Sequence, residues 1–250
     1  MLSVTALEGL PEIAAGDDLA QLIVPAAATI GGLREGDVLV VAHKVVSKSE
    51  GRVRSLAGVE PSARARALAA EHAKDPRHVQ VVLDETRELI RASHGVLICV
   101  THHGFVCANA GVDASNAAEP DTVILLPRDP DRSARLLRER LTEITRVSPA
   151  VVITDSFGRA WRHGQTDIAI GCAGLAALED WRGRADASGR ELRATWIAVA
   201  DELAGAADLA RTKDGRRPVV LVRGAARHVS ADHGPGAAPL IRPESEDLFR

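Results

Sequence analysis

An α/β fold with mixed, partly antiparallel sheets is what the sequence predicts, on three observations. Short β-branched runs alternate with longer segments of helical period. Two of those runs, residues 96–100 and 105–108, are separated only by Thr101-His102-His103-Gly104, a connection of hairpin length that implies antiparallel pairing. Neither a G-x-G-x-x-G following a strand nor a G-x-x-x-x-G-K-[ST] occurs, so neither the dinucleotide fingerprint nor the P-loop organises the sheet.

Taken in chain order, residues 38–42 form the first expected strand, a Val/Leu run ahead of a polar cluster. Residues 62–74, Ala- and Arg-rich after Pro61, predict a helix, and residues 78–92 a second one from the spacing of Val81, Val82, Leu89 and Ile90. The hairpin strands 96–100 and 105–108 follow, then a strand at 123–126. Another helix begins near Asp131, just after Pro130, and carries Leu136, Leu137, Leu141 and Ile144, with acids favourably placed at its start. Strands at 151–154, 195–199 and 219–222 and helices at 175–181 and 201–211 complete the set. Residues 230–243, rich in Gly, Pro and Ala, read as an irregular tail or flap. With no repeat or low-complexity linker, residues 1–250 are expected to form one domain, whole or built of two subdomains, with 230–250 as its C-terminal tail.

Composition narrows the function. The chain has 250 residues, 46% hydrophobic and 26% charged, which excludes disorder and coiled coil. A net charge of -3 gives no general attraction to nucleic acid or to an acidic membrane, so an anionic ligand must be held locally. An aromatic content of 2%, without Tyr, argues against a stacking platform for single-stranded nucleic acid. The N-terminal stretch lacks the basic start and apolar core of a signal peptide, and apolar runs fall short of the roughly 20 residues of a membrane helix, so a cytoplasmic location is expected. Cys99, Cys107 and Cys172, scattered and odd in number, read as buried, inert thiols. The nine histidines show no H-E-x-x-H or related zinc spacing, and none is assigned a catalytic role.

Three polar clusters follow apolar runs where a sheet would deliver them to an edge. His43-Lys44-Val45-Val46-Ser47-Lys48-Ser49-Glu50-Gly51 puts two lysines four apart with hydroxyls beside them, suited to a polyphosphate or simply to a solvated basic turn. Asn109-Ala110-Gly111-Val112-Asp113-Ala114-Ser115-Asn116 surrounds one carboxylate with small residues. Asp113 can there reach a hard cation, or the segment can be an Asx-turn satisfying its own backbone. Thr154-Asp155-Ser156-Phe157-Gly158-Arg159, followed by Arg162 and His163, joins a carboxylate to a hydroxyl, a natural magnesium or manganese pair or a helix N-cap. Taken together, two carboxylate-bearing strand ends and a lysine turn describe a metal-bridged phosphate site better than three unrelated turns. Arg159, Arg162 and His163 are candidates, on charge and proximity, for holding an anionic substrate.

At these clusters the sequence resembles the coenzyme F420-0:L-glutamate ligase family, through ordered motifs from Gly9-Leu10-Pro11-Glu12-Ile13 to Pro218–Gly224, the least generic being NAGVDASN and ITDSFGR. The resemblance implies a GTP-dependent enzyme that adds L-glutamate to coenzyme F420-0, of a mixed α/β fold peculiar to the family, working as an intertwined homodimer. It implies GTP contacts from Leu10, Pro11, Glu12, Ile13, His43, Lys44, Lys48, Asn116 and the loop Leu209, Ala210, Arg211, Thr212, Lys213, Asp214, Gly215 and Arg216. It further implies that Asp113 and Asp155 ligate one Mg2+ or Mn2+ and that Ser156 touches a second, with K+ as an additional ion. Ser156 stands where many relatives have Thr, which keeps the hydroxyl. The chemistry would be amide formation through an acyl phosphate made from the γ-phosphate of GTP, with metal ions neutralising phosphoryl charge. Two other classes fit parts of the pattern: a metal-dependent phosphohydrolase using the same carboxylates, and a non-catalytic deazaflavin or nucleotide carrier.

Overall fold

A computed structural model describes residues 1–115, 120–212 and 214–247. In chain order the elements are β1 (Ser3–Ala6), α1 (Leu19–Ala28), β2 (Val38–Ala42), α2 (His43–Ser49), β3 (Val53–Ser55), α3 (Ala63–His72), α4 (Pro76–Asp84), β4 (Thr86–Ser93), β5 (Val96–Thr101), β6 (Val106–Ala108), β7 (Thr122–Ile124), α5 (Pro130–Thr145), β8 (Ala150–Arg159), β9 (Arg162–Ala173), β10 (Glu179–Asp180), β11 (Trp196–Ile197), α6 (Val199–Ala210) and β12 (Val219–Arg223). The main sheet runs β1-β12-β2-β8-β9. Only β2 and β8 pair in parallel; the other neighbours are antiparallel. Smaller antiparallel sheets, β4-β5-β6 and β3-β7, lie beside it, so the expected α/β class with mixed, partly antiparallel sheets holds.

The reason β2 sits centrally is visible in its composition. Val38, Leu39, Val40 and Val41 are all fully buried, as a strand must be when both its faces are covered. Leu39, Val41, Val151 and Ile153 turn to one face, against α1 and α5, while Val38, Val40 and Val152 turn to the other, against α6. A third cluster, with Val79, Val82, Leu97 and Cys99, packs α3 and α4 on the β4-β5-β6 sheet. Helix starts follow the capping rule: Asp18, Ser62, Asp75 and Asp129 each accept a backbone N–H of the first turn of α1, α3, α4 and α5.

Several elements depart from the sequence expectation, each for a physical reason. The helix expected over 78–92 is α4 alone, and Thr86–Ser93 is a strand. Register shifts between Thr86 and Glu88 and between Leu89 and Arg91 make Thr86, Leu89 and Ala92 its inward positions, a spacing of three that imitates a helix. The helix expected at 175–181 does not form: Leu175 bridges to Val229, Trp181 N–H donates to Thr195, and Glu179–Asp180 pairs with β11. The strand expected over 195–199 is shortened to Trp196–Ile197, because Val199 opens α6 with Asp201 and Glu202 in its first turn. The lysine turn is a helix, α2. The strand expected to end at Thr154 runs on to Arg159 in a hairpin with β9, which places Asp155 and Ser156 inside a strand and excludes the N-cap alternative. No expectation covered β1, α1, β3 or β9. Within α1 the sequence has Pro25, and the first half of β9 is polar and exposed.

Residues 230–243 contain no strand or α-helix but are fastened to the body. Arg138 of α5, only 2% exposed, donates to the carbonyls of Ser230, Ala231 and Asp232 and to that of Pro149. Asp131 accepts the N–H groups of Cys172 and Ala237. Replacing Arg138 by Ala strands several buried carbonyls at once, and chemical denaturation should show a loss of roughly 3–5 kcal/mol. A loss under about 1 kcal/mol would mean that water takes over those contacts.

Candidate functional site

The parallel register of β2 and β8 pairs Ala42 with Thr154, so the residues that follow, His43 and Asp155, emerge side by side. His43 Nε2 lies 3.2 Å from Asp155 Oδ1, and its Nδ1 lies 3.3 Å from Ser47 Oγ, one helical turn on. His43 is 2% exposed, so its ring is part of the wall rather than a mobile surface group. The helical pitch of α2 puts Lys44 and Lys48 on one face, four residues apart. Lys44 Nζ donates to Asp113 Oδ2 at 2.7 Å and to Ser115 Oγ at 2.7 Å, whereas Lys48 pairs with Glu12.

Asp113 reaches this point through a strained turn. Asn109, Ala110 and Gly111, just after β6, have φ values of 51°, 52° and 70°, three successive left-handed residues of which only the last is glycine. A Cβ on Gly111 would come within 2.7 Å of Leu126, so the turn is also closely packed. Beyond it Asp113 exchanges both backbone hydrogen bonds with Ile124 of β7, which fixes the residue from both sides. Burial opposes the charge on its carboxylate. The Lys44 hydrogen bond and the Ser115 N–H outweigh burial, and the group titrates below its usual range.

Asp167 of β9 carries a role that sequence reasoning missed. It stands opposite Ser156 across the hairpin and is 3% exposed. Ser156 Oγ donates to Asp167 Oδ1 at 2.6 Å, and Thr154 Oγ1 donates to Oδ2 at 2.9 Å. Arg211, just past α6, donates from Nη1 to the same Oδ2 at 2.7 Å. Burial pulls the guanidinium below its usual range, and Asp167 opposes that. The only available signal was the alternation Gln165-Thr166-Asp167-Ile168-Ala169, in which Asp167 and Ala169 share the inward face, with β9 itself unrecognised.

Two cavities meet here. One, of about 240 Å³, is lined by Leu10, Pro11, Glu12 and Ile13, by His43 and Lys44, by Thr154, Asp155, Ser156 and Asp167, and by Arg211, Thr212, Arg216, Arg217 and Pro218. Its apolar end beside several cations matches a ligand that is part ring and part polyanion. The other, of about 220 Å³, is lined by Asn109, Asp113, Phe157 and Gln165 among others and shares Asp155 and Ser156 with the first. Among the described residues no Lys or Arg lines it. Cys107 does, but burial and, secondarily, Asp155 push its thiol up to about 12, which keeps it protonated at neutral pH. Asp113, Asp155 and Ser156 thus offer two carboxylates and a hydroxyl to one space, the oxygen donors a hard divalent cation prefers. Among the described residues no three His, Cys, Asp or Glu side chains gather as a metal set, so an ion there would complete its shell with the Ser156 hydroxyl, ligand oxygens or water.

Other expected site residues lie elsewhere. Arg159, Arg162 and His163 form the exposed tip of the β8–β9 hairpin, Arg159 donating to the His163 carbonyl, and line neither cavity. Lys48 approaches the first cavity only through Glu12. Leu209 is 90% exposed on α6, and Ala210, Asp214 and Gly215 are not in the cavity lining. Asn116 and Lys213 lie outside the described residues.

The family model described as F420-0:Gamma-glutamyl ligase matches residues 9–224. A Coenzyme F420:L-glutamate ligase from Methanopyrus kandleri is 48% identical over 237 residues, 94% of this chain and 92% of the relative. Proteins of the same name from Methanothermobacter thermautotrophicus and Haloarcula marismortui are each 43% identical across all of this chain, covering 99% and 96% of their own lengths. On matches of this extent, spanning every element that builds the two cavities, the chain belongs to the F420-0:gamma-glutamyl ligase family.

Proposed function

We propose that the protein is a ligase that joins L-glutamate to coenzyme F420-0 through an amide bond, at the expense of GTP and by way of an acyl phosphate. The observation that carries the reading is the meeting of two unlike cavities at Asp155 and Ser156. A ligase of this kind must hold a nucleotide and an acceptor on opposite sides of one phosphoryl group. The cation-lined cavity with its apolar end suits the nucleotide. The second cavity suits the acceptor carboxylate and the incoming amine.

The chemistry follows from what a carboxylate lacks, namely a leaving group. Transfer of the γ-phosphoryl group to the acceptor carboxylate forms a P–O bond to that oxygen, breaks the bond to GDP and supplies one. The glutamate amine then forms the C–N bond, phosphate leaves, and the amine proton passes to solvent or a nearby oxygen. Lys44, Arg211, Arg216 and Arg217 hold the polyphosphate, and Leu10, Pro11 and Ile13 cover the nucleotide's ring. One Mg2+ or Mn2+ held by Asp113 and Asp155, with a second at Ser156, would neutralise charge on the transferring phosphoryl group. The K+ assignment rests on family resemblance, as does the homodimer, for which Trp161, 79% exposed at the β8–β9 tip, is the surface in keeping. Among the described residues no helix is long and apolar enough to cross a membrane.

Asp113→Asn should lower glutamate addition by at least about 100-fold while circular dichroism stays unchanged, since it removes a charged cation ligand but few core contacts. Product masses after incubation with F420-0, GTP, L-glutamate and manganese give the rate; turnover near wild type would remove Asp113 from the site. Phosphate release should require F420-0, and hydroxylamine in place of glutamate should trap the activated carboxyl as a hydroxamate. Ser156→Ala should lower both signals and Ser156→Thr should keep most of each. Rapid GTP hydrolysis without F420-0, and no hydroxamate with it, would turn the reading to a phosphohydrolase. Light scattering should give about twice 26.4 kDa, and Trp161→Glu should shift that towards the monomer; a monomeric wild-type chain removes the dimer.

A further inference from the structure

We propose that Asp167 is a positioning residue of the reaction, setting at once the Ser156 hydroxyl and the Arg211 guanidinium at the seam of the two cavities. The proposal rests on the ligase reading above and adds a residue that it does not contain. Asp167 is nearly fully buried, and both its oxygens are engaged, one by Ser156 and the other by Thr154 and Arg211.

The consequence for Ser156 is chemical. A serine hydroxyl has one proton and two lone pairs, and at 2.6 Å that proton is committed to Asp167. The oxygen therefore faces the cavity as an acceptor, the state needed to meet a cation and unsuited to donating to phosphate. Threonine at 154 is committed in the same way at 2.9 Å, so neither hydroxyl competes as a donor.

For Arg211 the consequence is geometric. Nη1 is pinned to Asp167 and to Thr154 Oγ1, and Nη2 is 3.4 Å from the Val40 carbonyl, so the planar fork is held from the sheet side. Its buried Nε has no hydrogen-bond partner among the described residues. Arg211 is also the first residue after α6 and leads into the segment carrying Thr212, Arg216 and Arg217, which line the cation-rich cavity. One carboxylate thus ties that segment to the strand bearing Asp155 and Ser156. It aligns the phosphate-facing cation with the hydroxyl without itself touching a reacting atom.

The test uses the full chain with F420-0, GTP, L-glutamate and manganese, measuring kcat, KM for GTP and the manganese concentration for half-maximal rate. Asp167→Asn should lower kcat and raise the manganese requirement, each by roughly 10- to 100-fold, because a carboxamide can donate to Ser156 and no longer holds Arg211 by charge. Combined with Ser156→Ala it should add less than about threefold to the loss from Ser156→Ala alone, since the two act as a unit. A manganese requirement and kcat within twofold of wild type, or losses that multiply in the double variant, would overturn the proposal. If Asp167→Asn does not fold, Asp167→Asn with Arg211→Gln removes both buried charges together. That variant should fold and show the same raised manganese requirement, and a wild-type requirement would equally overturn the assignment. Calorimetric titration of GTP and manganese into the wild-type chain reads the nucleotide assignment separately. No GTP binding there would sink that assignment, while the glutamate-addition rates of the variants would still decide Asp167.

Discussion

The parallel ladder between β2 and β8 is the constraint on which the site depends. Two strands more than a hundred residues apart are held in one register by side chains buried on both faces, and a slip of one residue would move each group into the core on the opposite face. With Ala42 opposite Thr154, the chain leaves one strand into α2 and continues along the other. His43 and Asp155 become neighbours without any loop having to be ordered for the purpose. From that point α2 needs only its ordinary pitch to aim Lys44 at Asp113, which lies 69 residues further along the chain.

Charge is organised before any ligand arrives. Lys44 holds Asp113, Lys48 holds Glu12, and Asp167 holds Arg211, so three of the cations near the seam each have an acid that fixes their direction. The buried Asp167–Arg211 pair adds little net stability, because desolvation offsets attraction, but it defines geometry in a low-dielectric wall. The two spaces differ accordingly. The cavity lined by Lys44 and Arg211 is bordered by several cations, and its neighbour by carboxylates and carboxamides.

Much of this was legible in the sequence. The runs at 38–42, 96–100 and 219–222 are strands because β-branched density over that length has few other uses, and α3 and α5 begin where Ser62 and Asp129 can cap them. The three polar clusters also stand out as polar residues directly after apolar runs; the first two lie just past strand ends, whereas β8 continues through the third. What could not be read is pairing. Bulges in β4 disguise a strand as a helix, and partners far along the chain claim the backbone of 175–181. Asp167 looks like any acid in a polar stretch until β9 is known to face β8. The hairpin tip with Arg159, Arg162 and His163 is the converse case, adjacent in sequence to Asp155 and Ser156 but carried outward by an extended strand.

The strand order has a consequence for the chain as it is made. β12 lies between β1 and β2, so the first strand synthesised has to await the last before it gains its neighbour in the sheet. Arg138 likewise has to await carbonyls some ninety residues ahead of it. A nascent chain of 200 residues already contains Asp113, Asp155, Ser156 and Asp167, but not the guanidinium of Arg211 that Asp167 holds. Contacts of such long sequence separation form late. On the ribosome Asp113, Asp155 and Asp167 therefore emerge before Arg211, Arg216 and Arg217, the arginines that line the first cavity.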